Sequence, residues 1–243
     1  MRKLEHDNTA LRLALAYAKG GYSNCGGFVL TLHAGKTSLP VLWEERPGEG
    51  LLFLREHPRF YDFFAVGSFQ SPLTLPSMDK PVLFTHVRGS MPELSGFVRF
   101  RSACRMELRG GSFSQSIEPA VQGDETEILN LLSASLPAVD LPDSVRIEDF
   151  SCIRRDGRIV ACAGAEVTGK GCVLAHVAVA EDMRRQGLGQ KLVQGALTAA
   201  QKKGAEFFTL WADEANLAAV RLYERCGFHR TNRTTQQWIK HEE

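Results

Sequence analysis

The sequence predicts an α/β (α+β) chain whose second half forms a mixed β-sheet with helices on both faces, preceded by a β-rich α+β module. Three observations predict it. From residue 116 onward, apolar strand-like runs alternate with runs of helical periodicity. Asp156-Gly157 stands between two of the strand-like runs, a two-residue hairpin signal that makes part of the sheet antiparallel. Before residue 112, short apolar runs are separated by Pro47, Pro58, Pro72, Pro76, Pro81 and Pro92, the spacing of short strands and turns.

The first half opens with a helical pattern from Leu4 to Lys19, ended by Gly20, Gly21, Gly26 and Gly27. Strands are expected at Phe28 to Leu32, Leu39 to Trp43, Leu51 to Leu54, Phe60 to Val66, Val82 to Val87 and Gly96 to Phe100. Gly110-Gly111 closes this module, which gives domains of 1–112 and 113–243. The aromatic cluster Phe60, Tyr61, Phe63 and Phe64 reads as core, and Cys25, His57 and His86 receive no role.

In the second half, Ser116 to Val121 reads as a strand. A helix starts at Asp124, with Ile128, Leu129, Leu131 and Leu132 as its apolar face. Pro137 and Pro142 bracket a loop, followed by a short helix over Asp143 to Glu148. Phe150 to Arg154 and Arg158 to Val167 form the hairpin, and Val173 to Val179 the next strand. Gly187 to Lys203 is a helix with Leu188, Leu192, Val193, Ala196, Leu197 and Ala200 along one face. Glu206 to Trp211 is a strand, Asn216 to Cys226 a helix, and Arg230 to Lys240 a closing hairpin or strand pair.

The 243 residues suffice for one large or two modest domains, and 44% hydrophobic content suffices for a sizeable core. A net charge of +1 gives no reason to expect nucleic acid, and no basic run is present to dock on a membrane. No apolar stretch approaches the roughly 18 residues of a transmembrane helix. Glu5, Asp7 and Arg12 interrupt the N-terminal run, so it reads as an amphipathic helix rather than a secretory signal. The six cysteines form no CxxC pair, so no metal site is expected. Most lie in strand-like runs as small buried hydrophobes, in keeping with a reduced, cytoplasmic compartment.

Chemistry concentrates at Arg184-Arg185-Gln186-Gly187-Leu188-Gly189-Gln190, between an apolar strand and a helix. The first N–H groups of a helix lack internal partners and sit at the positive end of its dipole, so the loop before it can hold an anion. Gly187 and Gly189 carry no Cβ, which permits close approach, and Arg184 and Arg185 add positive charge. Residues 185 to 190 are thereby expected to hold a diphosphate through backbone N–H groups. A P-loop is excluded, because no GK followed by Ser or Thr continues from Gly187. A dinucleotide fingerprint fits poorly, with Leu192 at its third glycine position. A tight turn that binds nothing is the plain alternative.

The wider context resembles a known family. The run VAVAEDMRRQGLGQKL is similar to motif A of the GNAT superfamily of N-acetyltransferases. Asn216 to Phe228, with the pattern N-x-x-A-x-x-x-Y-x-x-x-G-F, resembles that superfamily's C-terminal signature. Ile117 to Leu132 resembles its first strand and helix, so the likeness spans about residues 113 to 240. It implies the GNAT fold with a partly splayed sheet, and acetyl-CoA (CoA) as cofactor. Val177, Ala178 and Val179 would pair with the pantetheine arm; Arg184, Arg185, Gln186, Gly187, Leu188, Gly189 and Gln190 would surround the diphosphate. Asn216 would contact the cofactor or act only as an N-cap. Tyr223 would be the general acid that protonates the leaving thiolate, since a phenol with a pKa near 10 keeps its proton at neutral pH.

The base is read less directly. The family's ribosomal-protein branch has a Glu five residues before the motif asparagine, and Trp211 stands there in this chain. That departure argues against that branch's mechanism and substrate. His176 on the preceding strand titrates in the right range; Glu166, Asp213, Glu214 or a water chain are the other options. The implied reaction is direct attack of a neutral amine on the thioester carbon in a ternary complex, with the Val179 N–H polarising the carbonyl oxygen. The acceptor is expected to be a primary amine of a small molecule, amino-acid derivative or peptide. The rival reading is a non-catalytic acyl-CoA-binding module. Three roles fit residues 1–112: a degenerate acetyltransferase-like domain, a substrate-shaping cap, or a module for homodimerisation.

Overall fold

A computed structural model describes residues 2–3, 41–70, 72, 78–86, 93–142 and 144–240. The expected helix over residues 4–19, the strand over 28–32, and Cys25 lie outside the described residues. The strands, in chain order, are β1 (Arg2–Lys3), β2 (Val41–Arg46), β3 (Gly50–Glu56), β4 (Tyr61–Gly67), β5 (Val82–His86), β6 (Val98–Arg109) and β7 (Glu118–Pro119). After helix α1 (Glu125–Ser133) come β8 (Phe150–Arg155), β9 (Arg158–Thr168) and β10 (Gly171–Val179). Helix α2 (Leu188–Lys202), β11 (Phe207–Asp213), helix α3 (Leu217–Arg225) and β12 (His229–Lys240) complete the order.

The chain divides into two units, one of residues up to 102 together with 233–243, the other of residues 103–232. In the first, β1 to β4 are antiparallel neighbours, β4 and β5 run parallel, and β5 pairs antiparallel with Gln236–Lys240 of β12. Leu52, Leu54, Phe63, Phe69, Phe84 and Trp238 form its core. Phe60 and Phe63 are buried, and His57 stacks on Phe60 at 4.4 Å.

The second unit repeats that strand plan. β7 to β10 are antiparallel neighbours, β10 and β11 run parallel, and β11 pairs antiparallel with Ala103–Arg109 of β6. The β8–β9 hairpin turns at Asp156 and Gly157, both at positive φ (51° and 77°), as a two-residue primed turn requires. Strand alternation sends Cys152 and Cys162 toward α1, where Ile128 and Leu132 meet them. It sends Ala161, Ala163 and Ala165 to the other face, joined there by Val160 at the bulge opposite Ile153 and Arg154, against Leu192, Val193, Ala196 and Leu197 of α2 and Val220 and Tyr223 of α3. Helices therefore cover both faces of a mixed sheet, as expected. Gly195, inside α2, marks a close approach: a Cβ there would stand 2.5 Å from Ile117 Cγ1.

Several boundaries differ from expectation. β6 continues through Arg109, because Cys104, Met106 and Leu108 alternate with Arg105 and Glu107 and only one face needs to be apolar. Residues 116–121 contribute just the two-residue β7. The short helix expected from 143 to 148 is a 3₁₀ turn at Ile147–Asp149, held by Arg146 on Asp149 (3.1 Å) and by Lys203 Nζ on the Glu148 carbonyl. β12 is one strand of 12 residues, with no turn in it. Leu129 of α1 faces solvent, so the apolar face of that short helix is narrower than its sequence suggests.

Candidate active site

β10 and β11 leave each other early. Their parallel pairing covers Gly171↔Phe207, Cys172↔Phe208 and Val173↔Thr209, then stops. β10 continues to Val179 on β9 alone, and β11 continues to Asp213 on β6 alone. Two parallel strands that part in this way open a passage between the two faces of the sheet. The cause lies in β10. Between Ala175 and Ala178 its register on β9 shifts, and His176 takes φ 51°, a conformation uncommon outside glycine.

Beyond the bulge, the Ala180 N–H donates to the Val160 carbonyl at 2.8 Å. Backbone groups alternate along a strand, so those of Val179 point away from β9, toward the opening. The Val179 carbonyl accepts from Arg184 Nε at 3.1 Å, which turns this guanidinium back onto the strand end. The chain then reaches the mouth of α2. Arg185 has φ 63° and Gly187, the N-cap, φ 78°. These left-handed steps swing successive N–H groups to one side. Among the described residues, no N–H from Arg185 to Gln190 has a hydrogen-bond partner, whereas the Lys191 N–H already bonds the Gly187 carbonyl. The donors expected at the loop are present and free.

The two glycines of this loop act differently. Nothing lies within 4 Å of where a Gly187 Cβ would stand, so that position is set by its backbone angle. A Cβ on Gly189 would stand 3.2 Å from Leu222 Cδ2 and 3.9 Å from Val179 Cγ2. Gly189 is thus where the end of β10, the mouth of α2 and the middle of α3 converge, and its small size serves packing. Asn216 caps α3, its Oδ1 accepting from the Ala219 N–H at 3.0 Å.

Tyr223 is buried in the core beneath α2 and α3, edge-on to Phe228 at 6.1 Å. Burial, then the neighbouring Cys226, pushes its phenol up to about 12, so it is neutral and a proton donor at any physiological pH. Cys226 itself is pushed up to about 11 by burial and stays a thiol.

His176 stands on the opposite face. Its ring stacks on Phe150 (6.2 Å, 16°) and a ring N–H bonds the Asp140 backbone. Burial lowers its pKa, opposed by that bond and by the Asp140 charge, so the imidazole is neutral near pH 7. His176 and Tyr223 are therefore separated by the sheet and linked through the parting of its strands. Asp140 and Phe150 are additions that no sequence pattern marked, since a 3₁₀ turn and a strand-end aromatic carry no motif. Of the other base options, Glu166 faces Arg146 at 3.9 Å and Asp213 Oδ1 accepts from the Ala215 N–H at 2.9 Å.

Residues 126–228 match the family model of the acetyltransferase (GNAT) family. Residues 126–228 are a GNAT acetyltransferase domain. It is an acyltransferase domain by that membership. The chain is 29% identical over 117 residues to the uncharacterized N-acetyltransferase YvbK of Bacillus subtilis, covering 44% of this chain and 71% of that protein. It is 34% identical over 79 residues to the [ribosomal protein bS18]-alanine N-acetyltransferase of Escherichia coli, covering 32% of this chain and 52% of that protein. The chain thus spans about half the length of that relative. A GCN5-related N-acetyltransferase from Sphaerobacter thermophilus shares the fold, with a TM-score of 0.64 at 13% identity, over 99% of this chain and 94% of that one. Among the described residues, no helix is long and apolar enough to cross a membrane.

Proposed function

We propose that the chain is an N-acetyltransferase that moves the acetyl group of acetyl-CoA to a primary amine of a small molecule, amino-acid derivative or peptide. The observation that carries this reading is the convergence at Gly189: free N–H groups at a helix mouth, next to a strand whose backbone faces an opening in the sheet. That donor set fits a diphosphate followed by a peptide-like arm. Arg185 to Gln190 would hold the diphosphate, and Val177 to Val179 the arm. Acetyl-CoA supplies an activated acetyl group as a thioester. The Val179 N–H would polarise the carbonyl oxygen. His176, neutral and on the α1 side, would accept the proton that the amine loses. Tyr223, on the α2 side, would donate from its hydroxyl toward the leaving sulfur. Base and acid on opposite faces suit an acceptor and a donor that enter from opposite sides of the opening.

The first unit is read as a degenerate second copy of this fold. Its strands repeat the plan, but β4 and β5 stay paired from Tyr61↔Val82 to Ala65↔His86, and their connection, residues 68–81, is about half as long as the one that carries α2. One acetyl-CoA per chain follows. The free, buried Cys104, Cys152, Cys162, Cys172 and Cys226 favour a cytoplasmic setting. The test is calorimetric titration with CoA, followed by turnover of acetyl-CoA over a broad amine panel. One site per chain and acetylated product support the reading. CoA binding without product on any amine makes this a binding module, and absence of CoA binding overturns it.

A further inference from the structure

Among the exposed large hydrophobic side chains, Val173 (44% exposed), Phe207 (42%) and Trp211 (39%) fall together. Alternation puts Phe207, Thr209 and Trp211 on one face of β11, since Phe208, Leu210 and Ala212 are buried in the α2–α3 core. The parallel register Val173↔Thr209 puts Val173 on that same face, and the Phe207 ring lies over Gly171, 2.9 Å from where its Cβ would stand. This is also the face on which the His176 ring lies. Trp211 is two residues beyond the last β10–β11 pair, at the opening itself, and Val173 and Phe207 continue from it over about 13 Å of strand.

The charges beside the opening half of the strip are matched within the protein, whereas at its far end Arg109, the register partner of Phe207, is exposed and has no ion pair among the described residues. Arg105, the register partner of Trp211, pairs with Glu107 at 3.1 Å. Glu166, the register partner of Val173, faces Arg146 at 3.9 Å. Near the opening the strip is apolar between internally neutralised edges. Only at its opening end does a carboxylate, Asp213, follow on the same face, where an ammonium would gain from it.

We infer that this face is the acceptor subsite, and that the acceptor is a primary amine on an aromatic or extended aliphatic skeleton. The skeleton lies along Trp211, Val173 and Phe207, and the amine sits at the opening between Asp213 and His176. The Arg109 charge at the far end disfavours a polyamine, and the matched charges near the opening leave nothing there to select an acidic acceptor. The inference rests on the acetyl-transfer reading, and the experiment separates the two. Phenethylamine, hexylamine, ethanolamine and spermidine are compared as acceptors for the full chain, and their binding without acetyl-CoA is measured by calorimetry. Phenethylamine and hexylamine should bind tightest and give the highest kcat/KM. Trp211→Ala should cut the phenethylamine-to-ethanolamine ratio of kcat/KM about tenfold or more, and phenethylamine affinity by a similar factor. Binding of the apolar amines with no acetylation would retain the subsite and sink the transfer reading. Acetylation with equal preference for ethanolamine or spermidine would sink the subsite and retain transfer. A Trp211→Ala chain that changes sedimentation mass while keeping its amine preference would show that the face pairs copies of the chain, and would overturn the subsite.

Discussion

Tyr223→Phe separates chemistry from folding at the candidate acid. The ring sits in the core against Phe228, and the variant keeps that packing. The Tyr223 hydroxyl has no hydrogen bond to a described residue, so stability should change by about 0.5 kcal/mol or less. With the phenol at about 12 and an ordinary thiol near 8.5, complete proton transfer to a free thiolate is uphill by about 3.5 pK units, roughly 5 kcal/mol. Burial therefore makes Tyr223 a hydrogen-bond donor to developing negative charge more than a source of a released proton. A hydrogen bond to a charged group contributes about 1.5–3 kcal/mol. The expected loss in kcat is thus about 10- to 150-fold, below the top of the 10²–10⁴ range of general acids. Thiol release measured with a chromogenic disulfide gives kcat, calorimetry gives CoA affinity, and thermal melting gives stability. Unchanged kcat would remove Tyr223 from the chemistry. A loss near 10⁴ with CoA affinity intact would refute the hydrogen-bond argument and require complete proton transfer.

Burial lowers the pKa of His176, so kcat/KM should fall on the acid side, below about pH 6.5, as the imidazole gains a proton. His176→Asn, which tolerates the left-handed backbone, should remove that limb; a limb that persists would assign the base elsewhere. The same shift means the unfolded chain binds the proton first. Its contribution to stability is full above about pH 6.5 and is lost as pH falls toward the folded value, which melting at pH 7 and 5 of both proteins would read. Gly187→Ala forces a side chain into φ 78° at a cost of about 1–2 kcal/mol, so KM for acetyl-CoA should rise about 5- to 30-fold, and Gly187→Asn should be milder. Gly195→Ala drives a methyl into Ile117 and should destabilise by about 1–3 kcal/mol in urea unfolding, partly relieved in the double variant with Ile117→Ala.

The parts that were legible in sequence are those with a period or a turn chemistry. Helix α2 announced itself through Leu188, Leu192 and Ala196 behind Gly187, and the β8–β9 turn through Asp156-Gly157. The bulge at His176 was not legible, because the residue that adopts the left-handed angle there is neither glycine nor asparagine. The two ends of the strand plan were also hidden. In Ala103 to Arg109, charged residues alternate with Cys104, Met106 and Leu108, so a reading that seeks apolar runs stops at Phe100. His229 to Lys240 is polar for most of its length and reads as two short pieces, although Gln236 to Lys240 pairs along β5 with Trp238 in the core. The role of Gly189 was half legible: its smallness was evident, but the contact that demands it is with Leu222, far along the chain.

The hidden strand bears directly on the site. For β10 to leave β11, β11 must be held on its other edge, or its unpaired backbone groups would lie open beside the parting. That edge is held by β6 in seven register pairs, from Phe207↔Arg109 to Asp213↔Ala103. Four of those pairs, from Leu210 to Asp213, lie past the last contact between β10 and β11. The family match begins at residue 126, after this strand, yet the opening depends on it. Residues 103–109 follow directly on the strands of the first unit, and the strand that closes the first unit, 236–240, follows the last helix of the second. Each half of the sequence thus ends by supplying the closing strand of the other. The candidate site lies within residues 103–232, and the strand that holds its opening, 103–109, comes from the end of the first half of the sequence.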